Sequence, residues 1–174
     1  MIAFPPCRCQ ESRAIEGGRL AFPFRENRCS MFRIHKKMGN VGMEAVVDRI
    51  LSETKTVAVV GISDKPDRPS HVVARYLQAR GYRILPVNPS LTTVLGEKAY
   101  KSLSDISGTV DLVDVFRRSE EVPPIAEEAI RIGARFFWMQ EGVASESSRE
   151  RLERAGIPVV MDRCTKKELM KRGK

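Results

Sequence analysis

The residues best suited to chemistry in this sequence lie in a polar turn that follows a short apolar run. The turn reads Gly61-Ile-Ser-Asp-Lys-Pro-Asp-Arg-Pro-Ser70. Lys65 and Arg68 carry positive charge, and Ser63 carries a hydroxyl. A helical pattern starts near Ser70, which we expect to be the N-cap, and the free amides of a helix N-terminus attract phosphate. The turn is therefore either a phosphate-binding loop or an ordinary solvated turn.

Four further polar segments follow other apolar runs. They are Val87-Asn88-Pro89, Phe116-Arg117-Arg118, Gln140-Glu141-Gly142 and Asp162-Arg163-Cys164. If the apolar runs are parallel strands, these segments meet at the carboxyl edge of one sheet, where open α/β sheets bind ligands. The pair Arg117-Arg118 is then either an anion-binding pair or a solvated start of a helix.

The spacing of the glycines argues against a nicotinamide site and excludes a P-loop. A nicotinamide site needs Gly-x-Gly-x-x-Gly after the first strand and an acidic residue at the end of the second. The turn at Gly61 has only the first of these glycines, and the second strand ends in Asn88. The sequence also lacks Gly-x-x-x-x-Gly-Lys-Ser/Thr, which excludes a P-loop NTPase.

The elements that must position these residues alternate between strands and helices. Short apolar runs rich in β-branched residues predict buried strands, and apolar residues at helical spacing predict helices. Gly81, Gly133 and Gly156 stand where helices end in the left-handed conformation. The predicted strands are 56–60, 82–87, 110–116, 135–139 and 157–161, and the predicted helices are 43–52, 70–80, 120–132, 145–155 and 166–171. This alternation predicts an α/β, doubly wound fold with a mainly parallel five-stranded sheet and helices on both faces.

Length and composition indicate one folded domain with a basic tail. The chain has 174 residues, 42% hydrophobic residues and a net charge of +8. Residues 1–42 hold eight of the 30 basic and three of the 22 acidic residues and show no period, so we expect a disordered tail or an upstream extension. We expect residues 43–174 to form the domain. No apolar run is long enough for a membrane span, and the mildly basic body gives little support for nucleic acid.

The cysteines do not form a metal-binding pattern. Cys7 and Cys9 lack the spacing of zinc ligands, and the whole sequence has only two histidines. Residues 43–174 contain one cysteine, so that part has no disulfide framework, which fits the cytoplasm as the predicted location. Cys164 is either a small packing residue or a thiol activated by neighbouring basic side chains.

Six segments, in order and at consistent spacing, carry a family resemblance. They are Val59-Val-Gly-Ile-Ser63, Arg68-Pro-Ser70, Tyr82-Arg-Ile-Leu-Pro-Val-Asn-Pro89, Leu112-Val-Asp-Val-Phe-Arg-Arg118, Trp138-Met-Gln-Glu-Gly-Val143 and Asp162-Arg-Cys164. Through them, residues 43–174 resemble the stand-alone CoA-binding domain family, which is similar to the N-terminal domain of the succinyl-CoA synthetase alpha subunit. The resemblance implies a Rossmann-like domain that holds coenzyme A or acyl-CoA.

The resemblance also implies which residues contact the cofactor. The phosphates are expected at the turn after the first strand, at Gly61, Ile62, Ser63 and Arg68, and the chemistry of the turn adds Lys65 and Ser70. The nucleotide is expected along the end of the second strand, at Val87, Asn88 and Pro89. The residues expected to close the site are Phe116, Arg117, Arg118, Trp138, Gln140 and Gly142. For Trp138, a place in the core is the alternative.

We therefore predict a protein that binds coenzyme A without catalysis, as a carrier or sensor. We assign no catalytic residue and no metal ligand. The first alternative is an enzyme, or an enzyme subunit, that acts on a CoA thioester or another nucleotide ligand with a partner protein. The second is an interaction or nucleic-acid protein that uses the basic tail. A partner subunit, a homo-oligomer and a mixed disulfide between Cys164 and the CoA thiol stay open at this point.

Overall fold

The computed structural model describes residues 40–173, so the predictions for residues 1–39 lie outside the described part of the chain. Its five helices are α1 (Asn40–Glu53), α2 (Pro69–Ala79), α3 (Val122–Arg131), α4 (Glu146–Arg154) and α5 (Thr165–Lys171). The strands are β1 (Thr56–Val60), β2 (Arg83–Val87), β3 (Thr93–Val94), β4 (Glu97–Lys98), β5 (Leu112–Val115), β6 (Phe136–Met139) and β7 (Val159–Val160). Two 3-10 helices span Leu103–Asp105 and Ser119–Glu121. None of the described helices is both long enough and apolar enough to cross a bilayer.

Five parallel strands form the central sheet in the order β2-β1-β5-β6-β7. The chain passes from β1 outward to β2, returns across β1 to β5, and then continues in the other direction to β6 and β7. The strand order therefore reverses between β1 and β5, which confirms the predicted doubly wound α/β fold.

Helices cover both faces of the sheet, because the strands are apolar on both sides. Helices α1, α2 and α5 pack against one face, where Phe136 and Trp138 lie. Helices α3 and α4 pack against the other face, where Phe137 and Met139 lie. Continuous apolar runs are typical of strands that are buried on both faces, and the run of β6 shows this arrangement.

The start of α2 differs from the sequence-based expectation. Arg68 is the N-cap, with an extended backbone (φ −71°, ψ 139°), and Pro69 is the first helical residue. Proline suits that position because its ring presets a helical φ and its missing N–H has no partner there. The prediction that Ser70 is the N-cap is therefore wrong. The first helix also begins earlier than expected, at Asn40 instead of Met43.

A short hairpin between β2 and β5 was not predicted. Strands β3 and β4 have two residues each and pair antiparallel around Leu95 and Gly96, which both have positive φ (55° and 80°). The chain then returns to β2, where Tyr100 forms a parallel bridge with Val87. Strands this short leave no period in the sequence, so the pattern predicts no element there.

Ion pairs join the first and last helices of the described chain. Arg172 pairs with Glu44 and Asp48 of α1 and with Glu168 of α5, whose carboxylate lies 2.6 Å from the guanidinium. Arg163, just before α5, pairs with the same Glu44 at 2.6 Å. The side chain of Arg172 is only 15% exposed, so this network lies partly within the fold.

Candidate functional site

The candidate site lies at the carboxyl edge of the sheet, where the strand order reverses between β1 and β5. Gly61 follows β1, and Phe116 and Arg117 follow β5. Hydrogen bonds hold the strand ends together: the Gly61 amide donates to the Val87 carbonyl at 3.0 Å, and the Phe116 amide donates to the Val60 carbonyl at 2.9 Å. Ligands of doubly wound proteins bind in the crevice at such a reversal point.

Gly61 allows β1 and β5 to approach closely at this edge. Its φ is +84°, a conformation that glycine adopts without strain. A Cβ atom there would lie 3.0 Å from the Phe116 carbonyl oxygen and 3.0 Å from Nε of Arg117. The Arg117 side chain therefore lies directly over Gly61, between the ends of the two strands.

The turn after β1 is held by its own hydrogen bonds. The Ser63 amide donates to Oγ of Ser70 at 3.1 Å, and the Lys65 amide donates to Oγ of Ser63 at 3.2 Å. Nδ1 of His71 lies 3.0 Å from the Ser63 carbonyl and donates to it. The His71 side chain is buried. These bonds fix the loop and leave the Ser63 hydroxyl hydrogen free to donate.

The N-terminus of α2 is open, and of the charged residues in the turn before it, Lys65 and Arg68 line the adjacent cavity while Asp64 and Asp67 do not. In the described part of the chain no side chain caps it, and its first turn contains no acidic residue. Lys65 and Arg68 are both exposed beside it. These residues, with Gly61, Ser63, Pro69, Ser70 and Phe116, line a cavity of about 410 Å³. An open helix N-terminus flanked by two cations is a site at which a phosphate group is stabilised.

Asn88 ties the end of β2 to this loop. Its Nδ2 donates to the Ile62 carbonyl at 2.7 Å, and its Oδ1 accepts a hydrogen bond from the Ser90 amide at 2.9 Å. The side chain is thus a bridge between two turns of the carboxyl edge. Ile62 itself is fully buried, so only its backbone faces the loop.

A second cavity, of about 440 Å³, is lined by Arg117 and shares no lining residue with the first. Its apolar wall is formed by Val60, Val87, Pro89, Leu103, Pro124 and Ile125, and its polar wall by Lys101, Ser102, Arg117, Glu120, Glu121 and Glu128. Arg117 and Arg118 both face Glu121, at 3.8 Å and 3.6 Å between guanidinium nitrogen and carboxylate oxygen. Sequence analysis missed these carboxylates, although the spacing of Glu121, three and four residues after the arginines, is that of helical ion pairs.

The structure does not bring the predicted residues of β6 to either cavity. Trp138 is fully buried in the core, where its Nε1 donates to the Arg163 carbonyl at 2.6 Å. Gln140 is also buried, and its amide faces Asp114 and Thr165. Gly142 is exposed, in a turn where its amide donates to Asp162. The expectation that the Trp138 and Gln140 side chains contact a ligand is therefore corrected, since both already have partners inside the protein.

Comparison with known proteins identifies the family. The family model described as CoA binding domain matches residues 55–170. The chain belongs to the CoA-binding domain family. This confirms the resemblance predicted from the six segments, and the matched range contains every residue of the candidate site.

Family relatives include small proteins of similar length and much larger ligases. The chain is 46% identical to uncharacterized protein YneT of Bacillus subtilis (strain 168) over 123 residues, which cover 71% of this chain and 91% of YneT. A solved structure from Thermus thermophilus, cell-free ID.343, has a TM-score of 0.70 and 38% identity and covers 74% of this chain and 97% of that one. The ADP-forming acetate–CoA ligase of Methanocaldococcus jannaschii is 28% identical over 87 residues, which cover 50% of this chain but 12% of the ligase.

Asp114 of this CoA-binding domain is a fully buried carboxylate that sequence analysis did not single out. It lies on β5, on the face covered by α1, α2 and α5. Nε2 of Gln140 donates to its two oxygens at 2.8 and 2.9 Å, and the Thr165 hydroxyl donates to Oδ2 at 3.2 Å. Burial raises the pKa of Asp114 to about 7, because these hydrogen bonds do not compensate for lost solvation of the charge. The available signal was an acidic residue in an otherwise apolar strand.

Neither cysteine nor metal chemistry is evident in the described domain. Cys164 is partly buried at the start of α5 and is not in a disulfide. Among residues 40–173, no three histidine, cysteine, aspartate or glutamate side chains are grouped as metal ligands. On the α2 side, the carboxyl edge offers hydrogen-bond donors and the cations Lys65 and Arg68, which suits the binding of an anion.

Proposed function

We propose that this protein binds coenzyme A or an acyl-CoA at the carboxyl edge of its sheet and acts as a carrier or sensor without catalysis. One observation carries the proposal: the uncapped N-terminus of α2, flanked by Lys65 and Arg68, opens at the reversal point of the strand order. Membership of the CoA-binding domain family supports the choice of ligand.

The charge of the site supports phosphate binding on the α2 side. Coenzyme A carries a pyrophosphate and a 3′-phosphate, and both need several hydrogen-bond donors. The α2 cavity offers backbone amides, the Ser63 hydroxyl, and the charges of Lys65 and Arg68. Arginine contacts phosphate with two parallel hydrogen bonds, which gives direction as well as charge.

The second cavity is suited to the adenosine end of coenzyme A. Val87 and Pro89, at the end of β2, line this cavity together with Leu103 and Ile125. Apolar walls of this kind are suited to stack against a base. Asn88 at the end of β2 is uncharged, so it does not repel a phosphate on the ribose as an acidic residue would.

An enzyme subunit is the second candidate, and the similarity to ligases favours it. The relative from Methanocaldococcus jannaschii is named as an acetate–CoA ligase, and the matched region covers 12% of it. In that case the chain would supply the CoA-binding domain, and a partner protein would supply the reacting groups. Turnover of a CoA thioester only in the presence of such a partner would favour this candidate over a carrier or sensor.

Isothermal titration calorimetry of the full chain tests the proposed function. Coenzyme A and acetyl-CoA are titrated first, and NAD and ATP serve as nucleotide controls that lack the 3′-phosphate and the pantetheine arm. We expect saturable binding of the CoA compounds and at least tenfold weaker binding of NAD and ATP. Equal binding of all four would show a general nucleotide site, and no binding of the CoA compounds would refute the proposal.

A further inference from the structure

The two helix starts at the reversal point differ in charge, and the difference centres on Glu121. The N-terminus of α2 has no acidic residue in its first turn. At the entry to α3, by contrast, the Glu121 carboxylate accepts the Arg118 amide at 3.3 Å. The same carboxylate faces the guanidinium groups of Arg117 and Arg118. The Glu121 carboxylate thus already occupies the position at which an incoming anion would bind the two arginines.

We propose that Glu121 is a specificity-determining residue that makes Arg117 and Arg118 accept a phosphate monoester and reject singly charged anions. The inference rests on the proposed function and deepens it, since it assigns the 3′-phosphate of coenzyme A to this pair. A monoester carries nearly two negative charges at neutral pH. A phosphodiester or a carboxylate carries one, so it gains no charge–charge energy by replacing the single charge of Glu121.

The geometry allows this exchange. The two ion pairs are long, and the Arg118 side chain is 83% exposed, so both pairs are weak and open at small cost. Arg117 is held over Gly61 at the wall between the two cavities, which keeps its guanidinium in place when Glu121 moves away. An entering monoester would therefore meet Arg117, which packs over Gly61, and the exposed Arg118, whose weak pair with Glu121 it can replace.

The surrounding charges assign the two kinds of phosphate to different places. Glu120, Glu121 and Glu128 line the cavity on the α3 side, whereas no acidic residue lines the α2 cavity among the described residues. The pyrophosphate, with one charge on each phosphate, belongs at the open N-terminus of α2. The doubly charged 3′-phosphate is the group that can compete with Glu121.

Calorimetry with coenzyme A and 3′-dephospho-CoA tests the role of Glu121 in the full chain. We expect the natural sequence to bind coenzyme A at least tenfold more tightly than 3′-dephospho-CoA. Glu121→Gln removes the carboxylate that competes with the 3′-phosphate, so it should tighten the binding of coenzyme A about three- to fivefold, the effect of a surface ion pair. 3′-Dephospho-CoA brings only a hydroxyl to the two arginines, so its affinity should stay within twofold and the ratio of affinities should widen. Glutamine keeps the acceptor for the Arg118 amide, and a thermal melt checks that the variant folds.

Two control variants separate the position of the charge from its mere removal. Glu121→Asp keeps the charge and should keep the natural ratio of affinities. Glu150→Gln removes the acidic partner of an exposed pair with the same i,i+4 spacing, at 3.0 Å from Arg154 on α4, and should also keep the ratio. An unchanged ratio in Glu121→Gln, or an equal change in Glu150→Gln, would overturn the assignment of Glu121.

A separate measurement distinguishes a failure of the role of Glu121 from a failure of the proposed function. If the natural sequence binds no coenzyme A, the proposed function fails, and the amide NMR signals of Arg117 and Arg118 are then followed in titrations with inorganic phosphate and with acetate at pH 8. We expect phosphate alone to shift them in the natural sequence, and both anions to shift them in Glu121→Gln. Equal shifts by both anions in the natural sequence, or no effect of the substitution, would refute the role of Glu121.

Discussion

Arg68 is the residue whose charge the proposed phosphate site depends on most directly. It is the exposed N-cap of α2, and in the described structure no carboxylate pairs with it. We predict that Arg68→Glu weakens coenzyme A binding at least tenfold in calorimetry, because it places a negative charge beside the pyrophosphate. Arg83→Glu makes the same change at an exposed position at the start of β2, on the opposite edge of the sheet, and should leave the affinity within twofold. Equal affinities for both variants would place the phosphates elsewhere.

The raised pKa of Asp114 predicts a pH-dependent stability. Its ordinary value is 3.8 and burial raises it to about 7 in the fold, so between these values the folded state keeps a proton that the unfolded state releases. Its contribution to the free energy of unfolding therefore falls as the pH rises through this window, by at most about 1.4 kcal/mol per pH unit. Asp114→Asn should remove this fall and be more stable than the natural sequence at pH 8, as measured by urea denaturation.

Asp111, three residues before Asp114, is the matched control with the opposite sign. Burial raises its pKa, but hydrogen bonds from Thr56 and Lys55 and from Arg135 outweigh this and leave the pKa below its usual value. Its contribution to the free energy of unfolding is fully present above the usual pKa of an aspartate, and it is lost as the pH falls through the lowered pKa. Asp111→Asn should therefore lose stability at neutral pH relative to the natural sequence, and a gain there would contradict the assigned signs.

For Trp138, the sequence could not decide between a ligand contact and a place in the core. The run Phe136-Phe-Trp-Met139 is apolar throughout, so nothing in it tells which side chain faces which side of the sheet. Both faces are covered, and the alternation along β6 puts Trp138 in the core beside α1, α2 and α5. Asp114 lies on the same face, and the Gln140 amide donates a hydrogen bond to it. Gln140, which we expected to contact the ligand, thus forms a hydrogen bond within the protein.

Among the secondary-structure elements, the sequence predicts the strands of the main sheet and the helices that cover it, but not the connections between them. The run Thr56–Val60 is apolar and β-branched, and α3 has clear helical spacing, so each gives a strong local signal. The hairpin of β3 and β4 has two residues per strand and depends on the edge of β2 for its place. The position of Arg117 at the second cavity depends on its contact with Gly61. These two residues are 56 positions apart, so no local pattern in the sequence predicts their contact.

That contact gives a prediction about the junction of β1 and β5. We expect Gly61→Ala to lower the free energy of unfolding by about 1–3 kcal/mol, because a Cβ at positive φ is strained and meets Phe116 and Arg117. It should also displace the Arg117 side chain and weaken coenzyme A binding. Thermal denaturation and calorimetry measure the two effects.

Gly81→Ala is the control that separates backbone strain from the close approach. Gly81 has a similar φ, +88°, but an added Cβ would meet no atom within 4 Å, at the far edge of the sheet. It should lose stability through strain alone, by less than Gly61→Ala, and should keep its affinity for coenzyme A. An equal loss of stability in both variants would show that the approach of β1 and β5 has no energetic role.

For the molecule as a whole, the ion-pair network of Arg172 joins the first helix to the last. Glu44 and Asp48 belong to α1 and Glu168 to α5, and the Glu168 side chain is only 4% exposed. We predict that Arg172→Ala lowers the free energy of unfolding by about 1–3 kcal/mol, between the values for exposed and buried pairs. Arg154→Ala, in an exposed pair of α4, should cost less than about 0.5 kcal/mol, and equal effects in urea denaturation would argue against the network.

The same network has a consequence for how this fold can be combined with other proteins. Because Glu44 and Arg172 touch, the chain enters and leaves the described domain at neighbouring points on its surface. Domains with adjacent ends can be inserted into a surface loop of a host protein without stretching that loop. The domain is thus suited to insertion into another protein. Both of its ends would join the host at one place, and the opening between β1 and β5 would stay accessible.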